Sequence, residues 1–324
     1  MMRAARFHGQ GGPDVVRIDE VPRPVPAPGE VLVRVSAFGL NNAEVLQRRG
    51  VVPAPAGGVP GLECVGRVVE TRAGADGPAV GDRVGVLLRG GGYADYVAAP
   101  AGACLPVPDD VDEVKAAAVP EAAVTAWWNL VHRGRVRSGE RVLVHGAAGG
   151  VGMLAAQLAR ELGAEVIGTA RGAAKVGLCR QLKVPHVIDY GADDVAAAVL
   201  RQFPGGVDVI LDNQGGPALE RNVGMLAPLG RLVIVGTQAG PVGELDVGRL
   251  MGLGAEVSSS SLGKLDDARR VALCAEVGER VLPLVASGGI VPVVDSVFPL
   301  SGIVAAHARF EHPERIGKVV VTTG

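Results

Sequence analysis

The sequence has 324 residues, 48% of them hydrophobic, which is sufficient for two domains that each have their own core. Its formal net charge of −2 leaves no basic field that would attract nucleic acid or an anionic membrane surface. Residues 1–10 lack the apolar run of a signal peptide, and no stretch reaches the roughly 20 apolar residues of a membrane span, so we expect a cytoplasmic protein.

The first third of the chain has the pattern of a β-rich domain. Runs of β-branched residues predict short strands over 31–35, 65–69 and 83–88, and turn residues precede the first and third of them. Residues 42–49 are compatible with a short helix. The alanine-rich stretch 114–131 favours helical structure, and it marks the point where strand-type sequence gives way to helix-type sequence.

From residue 141 onward, short apolar runs alternate with helix-compatible stretches. Because parallel strands need crossover connections, this alternation predicts an α/β fold with a doubly wound parallel sheet. After a helix at about 266–287, the chain returns to β-type sequence, and we expect this tail to fold back onto the first domain. The predicted strands are 142–145, 165–169, 186–189, 207–212, 231–236, 255–260, 290–298 and 317–322, and the predicted helices between them are 151–162, 173–182, 193–203 and 218–226.

A glycine-rich turn follows the first strand of this sheet, in the sequence VLVHGAAGGVG (142–152). Gly149 and Gly150 allow the backbone to approach a pyrophosphate, and Gly152 allows the following helix to pack close to the strand. The N–H groups at the start of that helix, including that of Val151, attract an anion. We therefore predict a dinucleotide-binding turn here.

The residues after the second and third strands indicate which dinucleotide is bound. An NAD enzyme usually has an acidic residue at the end of the second strand, whereas this chain has Arg171 there and Lys175 one helical turn later. Both cations would attract the 2′-phosphate of NADPH, and Tyr190 could add a hydroxyl group. The alternative is that the two cations are ordinary solvated side chains. We expect NADPH.

The sequence contains no nucleophile elbow with a Ser-His-Asp arrangement and no obvious pair of catalytic carboxylates. The six histidines are scattered, and His145, beside the glycine turn, is expected to be a packed residue instead of a base. Hydride transfer requires no nucleophile, because the protein only positions the nicotinamide and stabilises charge on the acceptor.

Several motifs together resemble the quinone oxidoreductases of the medium-chain dehydrogenase/reductase superfamily, above all the zeta-crystallin-like enzymes. The resemblance covers essentially the whole chain. Its segments are GLNNAEVLQRRG (39–50), PGLECVG (60–66), GGYADYV (91–97), PEAAVTAW (120–127), VLVHGAAGGVG (142–152) and GKVV (317–320).

The resemblance implies a GroES-like catalytic domain over 1–118, completed by 265–324, and a Rossmann NADPH-binding domain over 119–264. It also implies an active site in the cleft between the domains and a homodimer paired through the edge strands of the nucleotide domains. Zinc-containing relatives hold their catalytic metal with three side chains, and the matching positions here are Asn41, Leu62 and Glu121. Leucine cannot bind zinc, and the cysteine-rich zinc lobe is absent, so we expect no metal.

The resemblance also implies roles for individual residues. Asn41 is expected to face the nicotinamide, and Thr125 to lie under its ring. For each cofactor residue, a packing or capping role is the alternative. The residues expected to line the nicotinamide ribose and carboxamide are Asn213, Gly236, Thr237 and Gln238, and those expected to close over the cofactor are Gly317 and Lys318.

The chain departs from the family pattern after Gly50. Relatives often have a tyrosine there, whereas this chain has Val51, Val52, Pro53 and Ala54, none of which donates a proton. This departure favours an apolar acceptor pocket, protons supplied by solvent, or a one-electron route to a semiquinone.

We therefore expect NADPH-dependent reduction of small-molecule quinones, by one or two electrons, or of activated enones. One alternative is an enoyl-thioester reductase, although no cationic path for its carrier arm is evident. Another is a non-catalytic NADPH-binding protein, such as those relatives that serve as structural proteins or bind RNA elements. The near-neutral charge gives RNA binding no support.

Overall fold

A computed structural model describes residues 1–55, 57–74, 77–108 and 111–324. The chain folds into two compact units. Unit 1 consists of Met1–Val124, Asp266–Ser287 and Pro292–Gly324, and unit 2 consists of Thr125–Leu265 and Gly288–Val291. The catalytic and cofactor-binding roles expected of the two domains, with their predicted boundaries, stay a prediction.

The strands are short, as expected from the many turn residues. In chain order they are β1 (Met2–Phe7), β2 (Val16–Val21), β3 (Glu30–Gly39), β4 (Glu63–Thr71), β5 (Arg83–Leu87), β6 (Tyr96–Pro100), β7 (Cys104–Pro106), β8 (Arg141–Val144), β9 (Glu165–Ala170), β10 (His186–Asp189), β11 (Val207–Asp212), β12 (Leu226–Ile234), β13 (Glu256–Ser259), β14 (Val294–Pro299) and β15 (Lys318–Thr322).

The helices are concentrated after residue 112, and a π-helix at Trp128–Arg133 continues the third of them. In chain order they are α1 (Asn42–Arg48), α2 (Glu113–Ala116), α3 (Pro120–Trp127), α4 (Gly150–Glu161), α5 (Ala173–Gln181), α6 (Val195–Gln202), α7 (Leu219–Gly224), α8 (Val247–Leu253), α9 (Asp267–Arg280), α10 (Leu282–Ala286) and α11 (Ile303–Glu311). Within the described residues, no helix combines the length and the apolarity needed to cross a bilayer.

Unit 1 contains a sheet with the order β14-β15-β3-β4-β5-β7, in which β6 also pairs with β3, and a separate β1-β2 hairpin. The tail strand β15 pairs antiparallel with β3, which confirms that the C-terminal segment folds back onto the first part of the chain. Inward-facing apolar residues form the core because side chains alternate between the two faces of a strand. They include Val33, Phe38, Val86, Tyr93 and Val319.

Unit 2 contains a wholly parallel sheet with the order β10-β9-β8-β11-β12-β13. Counted from β8, this is the 3-2-1-4-5-6 order of the Rossmann fold, and it confirms the predicted doubly wound sheet. The central strands β8, β9 and β11 are mostly buried because both faces of such a sheet are covered. Leu143, Ile167, Val207, Ile210 and Leu232 belong to its buried core.

Several predicted elements differ from the structure. The stretch 114–131 is not one helix, because Pro120 has no N–H and begins a new helix, α3. The stretch 266–287 is likewise divided between α9 and α10, with Pro283 in the first turn of α10. Leu226, predicted as helical, begins β12, whereas Gly236 lies beyond its end. The elements β1, β2, β6, β7, α8 and α11 were not predicted.

Candidate active site

The glycine turn joins β8 to α4 in unit 2. Gly146 has a φ of +67°, and Gly149 precedes the first residue of α4. A Cβ atom on Gly152 would overlap the carbonyl oxygen of Gly146, so only glycine allows this close packing of helix on turn. The N–H groups of Gly150 and Val151 lie in the first helical turn, where a helix offers them no acceptor of its own. This arrangement is suited to holding an anion.

A buried chain of polar side chains supports this turn. The N–H of Gly146 donates to Oγ1 of Thr169 at 3.2 Å, and that hydroxyl lies 3.2 Å from Nδ1 of His145. Nε2 of His145 lies 3.0 Å from Oδ1 of Asn222. Because the amide oxygen is an acceptor, His145 carries its proton on Nε2 and accepts from Thr169 on Nδ1.

His145 is neutral in this arrangement. Burial lowers its pKa to about 4, although the nearby Asp212 carboxylate and the hydrogen bond to Asn222 act in the opposite direction. His145 is 2% exposed. These features confirm that it is a packed residue.

The structure brings the predicted residues after β11 and β12 together at the turn. Nδ2 of Asn213 lies 2.5 Å from the Cβ position that Gly146 leaves empty. The N–H of Gln238 donates to the carbonyl oxygen of Asn213 at 3.0 Å. A Cβ atom on Gly236 would lie 3.1 Å from the same oxygen, and Thr237 packs against Gly215. These residues surround the carboxyl ends of β8 and β11, where Rossmann folds bind dinucleotides.

Arg171, Lys175 and Tyr190 lie at the neighbouring carboxyl ends of β9 and β10. Arg171 is exposed, Tyr190 is 48% exposed, and Lys175 is in the first turn of α5. The N–H of Tyr190 donates to the carbonyl oxygen of Ala170 at 3.0 Å, which holds the two strand ends together. The predicted 2′-phosphate residues therefore occupy adjacent loops of one sheet.

A second polar cluster is buried in unit 1. Nζ of Lys318 donates to Oδ1 of Asn41 at 2.6 Å, to the carbonyl oxygen of Leu40 at 2.9 Å and to the carboxylate of Glu63. Nδ2 of Asn41 donates to Oε1 of Glu63 at 3.0 Å. Oε2 of Glu63 accepts from the N–H of Glu121 at 2.9 Å. The side chains of Lys318 and Glu63 are 2% and 0% exposed, so this is a buried ion pair that fixes the Asn41 amide.

Glu44 lies beside this cluster, on α1. Its carboxyl group accepts from the N–H of Asn41 at 2.7 Å and from the N–H of Leu62 at 3.0 Å. Burial is the dominant influence and raises the pKa of Glu44 to about 8, against the opposing effects of Lys318 and the Leu62 N–H.

The zinc-equivalent positions carry an amide, an aliphatic side chain and one carboxylate, on Asn41, Leu62 and Glu121 respectively. Among the described residues, no group of three or more His, Cys, Asp or Glu side chains is arranged to hold a metal ion. The absence of a bound metal in the protein itself stays a prediction.

The structure places the remaining predicted residues as follows. Thr125 lies in α3, and its carbonyl oxygen accepts from Nδ2 of Asn129 at 2.7 Å. Gly317 has a φ of +78° and precedes β15, where a Cβ atom would overlap the carbonyl oxygen of Val293. All three donors of Lys318 are used inside unit 1, so a place for it over the cofactor stays a prediction, as do the roles of all these residues.

Sequence reasoning missed several residues of these clusters. Glu63 is a charged residue inside an otherwise apolar motif, PGLECVG (60–66), a signal that indicates a buried polar contact. Glu44 lies among other polar residues, so its burial gave no such signal. Thr169, Asn222 and Asp189 gave no comparable signal.

Comparisons with known proteins agree with this architecture. Residues 27–109 match the family model for the alcohol dehydrogenase GroES-like domain, and residues 150–276 match the model for zinc-binding dehydrogenases. The synaptic vesicle membrane protein VAT-1 homolog of Rattus norvegicus is 33% identical over 100% of this chain and 84% of its own length. A phenolphthiocerol/phthiocerol polyketide synthase of Mycobacterium tuberculosis is 40% identical over 68% of this chain, which matches 10% of that synthase.

Solved structures of similar proteins also cover the whole chain. Mycobacterial Rv1454c, solved as a complex with NADPH, is 32% identical and superposes with a TM-score of 0.90 over 100% of both chains. A quinone oxidoreductase from Pseudomonas syringae is 28% identical, with a TM-score of 0.90 over 100% of both chains.

Proposed function

The chain belongs to the quinone oxidoreductase branch of the medium-chain dehydrogenase/reductase superfamily, and from this membership we propose that it uses NADPH to reduce a small-molecule quinone or activated enone. The observation that carries the proposal is the joint placement of the glycine turn and of Arg171, Lys175 and Tyr190 along one edge of the Rossmann sheet. The NADPH complex of the similar mycobacterial protein supports the choice of cofactor.

In this proposal, the residues of unit 2 bind and orient the dinucleotide. Gly149, Gly150 and Val151 hold the pyrophosphate at the start of α4. Arg171, Lys175 and Tyr190 hold the 2′-phosphate through charge-assisted hydrogen bonds. The nicotinamide half is oriented by Thr125, by Gly236, and by the polar residues Asn213, Thr237 and Gln238. Gly317 and Lys318 are the remaining residues that we assign to the cofactor, with the Lys318 ammonium kept inside unit 1 by its three partners. When bound, NADPH supplies the reducing hydride.

Asn41 is the proposed catalytic residue of unit 1. Lys318 holds its Oδ1, and Glu63 accepts one of the two Nδ2 hydrogens at 3.0 Å. The other contacts of Nδ2, to the carbonyl oxygen of Gly39 and to Glu44, are long at 3.5 Å. The second hydrogen of Nδ2 is therefore the one we assign to the acceptor oxygen, on which negative charge develops during reduction.

Protons come from solvent in this scheme, because the side chains of Val51, Val52, Pro53 and Ala54 offer no acid where relatives often have a tyrosine. No metal takes part, because Leu62 offers no ligand at the zinc-equivalent position. Elemental analysis of the purified protein should find no stoichiometric zinc, and activity should survive a chelator. One zinc per chain together with loss of activity on chelation would refute this part of the proposal.

We also propose that the protein is a homodimer paired through unit 2. Strand β13 is at the edge of the parallel sheet, and an open edge can pair with a second chain. Val247 and Met251 on α8 are 57% and 77% exposed, and Leu229 is 73% exposed. Leu229 lies beside Gly254, at the end of α8. Exposed apolar side chains and an open strand edge in the same unit support self-association.

An enoyl-thioester reductase is the second candidate, favoured by the 40% identity to part of a polyketide synthase. A non-catalytic NADPH-binding protein is the third.

One assay separates the three functions. NADPH oxidation, with NADH in parallel, is followed against ortho- and para-quinones, simple enones and a short enoyl thioester. Turnover with quinones or enones supports the proposed reductase, whereas turnover confined to the thioester would replace it with the second candidate. NADPH binding seen by fluorescence, without turnover of any acceptor, would favour the non-catalytic protein.

A further inference from the structure

One carboxylate joins the two loops that carry the proposed 2′-phosphate ligands. Oδ1 of Asp189 accepts hydrogen bonds from the backbone N–H of Gly172 and from that of Gly191, both at 2.9 Å. Gly172 follows Arg171 directly and precedes α5, and Gly191 follows Tyr190 directly. A single oxygen atom therefore fixes the distance between the backbone of Arg171 and the backbone of Tyr190.

The backbone of Asp189 fixes the same loop at its base. Its carbonyl oxygen accepts from the N–H of Ala192 at 3.0 Å and from the N–H of Asp193 at 2.8 Å. With the hydrogen bond from Tyr190 to Ala170, the loop after β10 is held at both ends. The Asp189 side chain adds the cross-link to the loop after β9.

The side chain of Arg171 crosses this cross-linked region. A Cβ atom on Gly191 would lie 3.3 Å from Cγ of Arg171, 3.9 Å from its Nε and 3.2 Å from Oδ1 of Asp189. Arg171 therefore packs over the glycine that Asp189 holds. A movement of Gly191 would change the position of the guanidinium group.

The ionised state of the Asp189 carboxyl group is consistent with a structural role. The N–H groups of Gly172 and Gly191, and then the nearby Arg171, hold the pKa of its carboxyl group below the usual range, so it is ionised at neutral pH. An anion would repel a phosphate group. Asp189 is the last residue of β10, the third strand of the Rossmann order, whereas the ribose-binding acid of NAD enzymes lies at the end of the second strand. Its position and charge are therefore those of a residue that holds the two loops together. Neither is expected of a residue that binds the cofactor directly.

We propose that Asp189 is a positioning residue for NADPH specificity, which holds Arg171 and Tyr190 at the spacing that one 2′-phosphate requires. This inference rests on the proposed use of NADPH. NADH lacks the 2′-phosphate, so loosening the two loops should weaken NADPH binding selectively.

The test is a fluorescence titration of the full-length protein with NADPH and, separately, with NADH. Asp189→Ala should raise the Kd for NADPH by about tenfold, the effect of losing one to two such hydrogen bonds, and change the Kd for NADH by less than about threefold. Asp189→Asn keeps the side-chain oxygen as an acceptor and should stay within about threefold of wild type for both. Asp193→Asn, an exposed residue of the same loop, is the matched control.

Two further measurements distinguish a positioning role of Asp189 from a general loss of folded structure in the variant. Amide hydrogen exchange at Gly172 and Gly191 should be faster in Asp189→Ala than in wild type and close to wild type in Asp189→Asn. Gly191→Val crowds Arg171 while Asp189 stays intact, and it should also lose NADPH selectively, which tests the same geometry if the alanine variant does not fold.

The outcomes are distinguishable. A wild-type protein that binds NADPH no better than NADH overturns the cofactor proposal, and this inference with it. A wild-type preference for NADPH that Asp189→Ala retains, or an equal loss of NADPH and NADH in that variant, overturns the positioning role and leaves the cofactor proposal intact.

Discussion

Nζ of Lys318 donates a 2.6 Å hydrogen bond to Oδ1 of Asn41, across 277 residues of sequence. An ammonium group has only donors, so it fixes the amide oxygen toward itself and the amide nitrogen toward Glu63. Gly39 makes room for this arrangement, because a Cβ atom there would overlap the Glu63 carboxylate and lie 2.9 Å from Cε of Lys318. The orientation of the proposed catalytic amide thus depends on a buried ion pair.

We predict that Lys318→Met is strongly destabilising because it leaves the buried Glu63 carboxylate without its counter-ion. The expected loss in the free energy of unfolding is about 3–5 kcal/mol, measured by urea denaturation. The double variant Lys318→Met/Glu63→Gln removes both charges and should recover most of this loss.

A substitution of Asn41 itself tests its proposed role. Asn41→Ala should lower kcat by about 10²-fold, as expected for the loss of a donor to a developing oxyanion, with the Kd for NADPH nearly unchanged. Asn42→Ala and Lys264→Met, both at exposed positions, serve as controls. Wild-type stability in Lys318→Met, or wild-type kcat in Asn41→Ala, would contradict this account.

The second prediction concerns Arg171 and Lys175. Their replacement by Ala should raise the KM for NADPH by about 10–100-fold for each lost charged hydrogen bond, because such bonds contribute roughly 1.5–3 kcal/mol. The KM for NADH should change little, since NADH has no 2′-phosphate. Arg180→Ala, an exposed cation of the same helix, should leave both values unchanged. An equal rise for the two cofactors would show that these residues do not bind the phosphate.

The third prediction concerns the pH dependence of stability at His145. Its pKa is about 4 in the folded protein and about 6.5 when unfolded, so the unfolded state binds more protons between these values. The contribution of His145 is therefore intact above pH 6.5 and is lost as the pH falls toward 4. Linkage gives a loss of about 2 kcal/mol between pH 7 and pH 5.

Urea unfolding of His145→Gln at pH 7 and at pH 5 tests the direction of this change in the free energy of unfolding. The variant cannot gain this proton, so its free energy of unfolding should fall by about 2 kcal/mol less than that of wild type. Comparing each variant with wild type cancels the contributions of other groups. His312→Gln, at an exposed position, should follow wild type. Identical pH dependence in His145→Gln would mean that His145 titrates normally.

The sequence predicted the Rossmann sheet well because its signals are local. The strands β8, β9 and β11 are largely apolar runs, and a glycine turn directly follows the first of them. The surroundings of Lys318 could not be predicted, because they depend on contacts with Leu40 and Glu63, which are distant in sequence. A lysine has a long stem, and family resemblance gives its position on the backbone without the direction of its side chain.

Local chemistry also explains which helices and strands were predicted wrongly or not predicted at all. Helix-forming residues occur throughout the stretch 114–131. Pro120, however, cannot donate a backbone hydrogen bond, and it starts a separate helix. The strands β6 (YVAAP) and β7 (CLP) contain Ala and Pro, which are poor strand formers, and neither forms a run of β-branched residues. Asp189 was not predicted as a site residue because its importance comes from two backbone N–H groups, whose direction depends on the folded loops.

The last prediction concerns self-association. Val247 and Met251 are four residues apart on α8, so they share one face of that helix, and both are more than half exposed. The next strand along the chain, β13, forms an edge of the sheet. Full burial of one such side chain contributes about 1.5–3 kcal/mol, and each acts twice in a symmetric dimer. Replacing both with Asp should therefore convert a dimer into a monomer in sedimentation velocity experiments, with the melting temperature of unit 2 only slightly changed. Val25→Asp changes an exposed valine of unit 1, at 72% exposure, and should leave the dimer intact. A wild-type protein that sediments as a monomer would refute the dimer itself, whereas a dimer that survives the double substitution would place the interface on another surface.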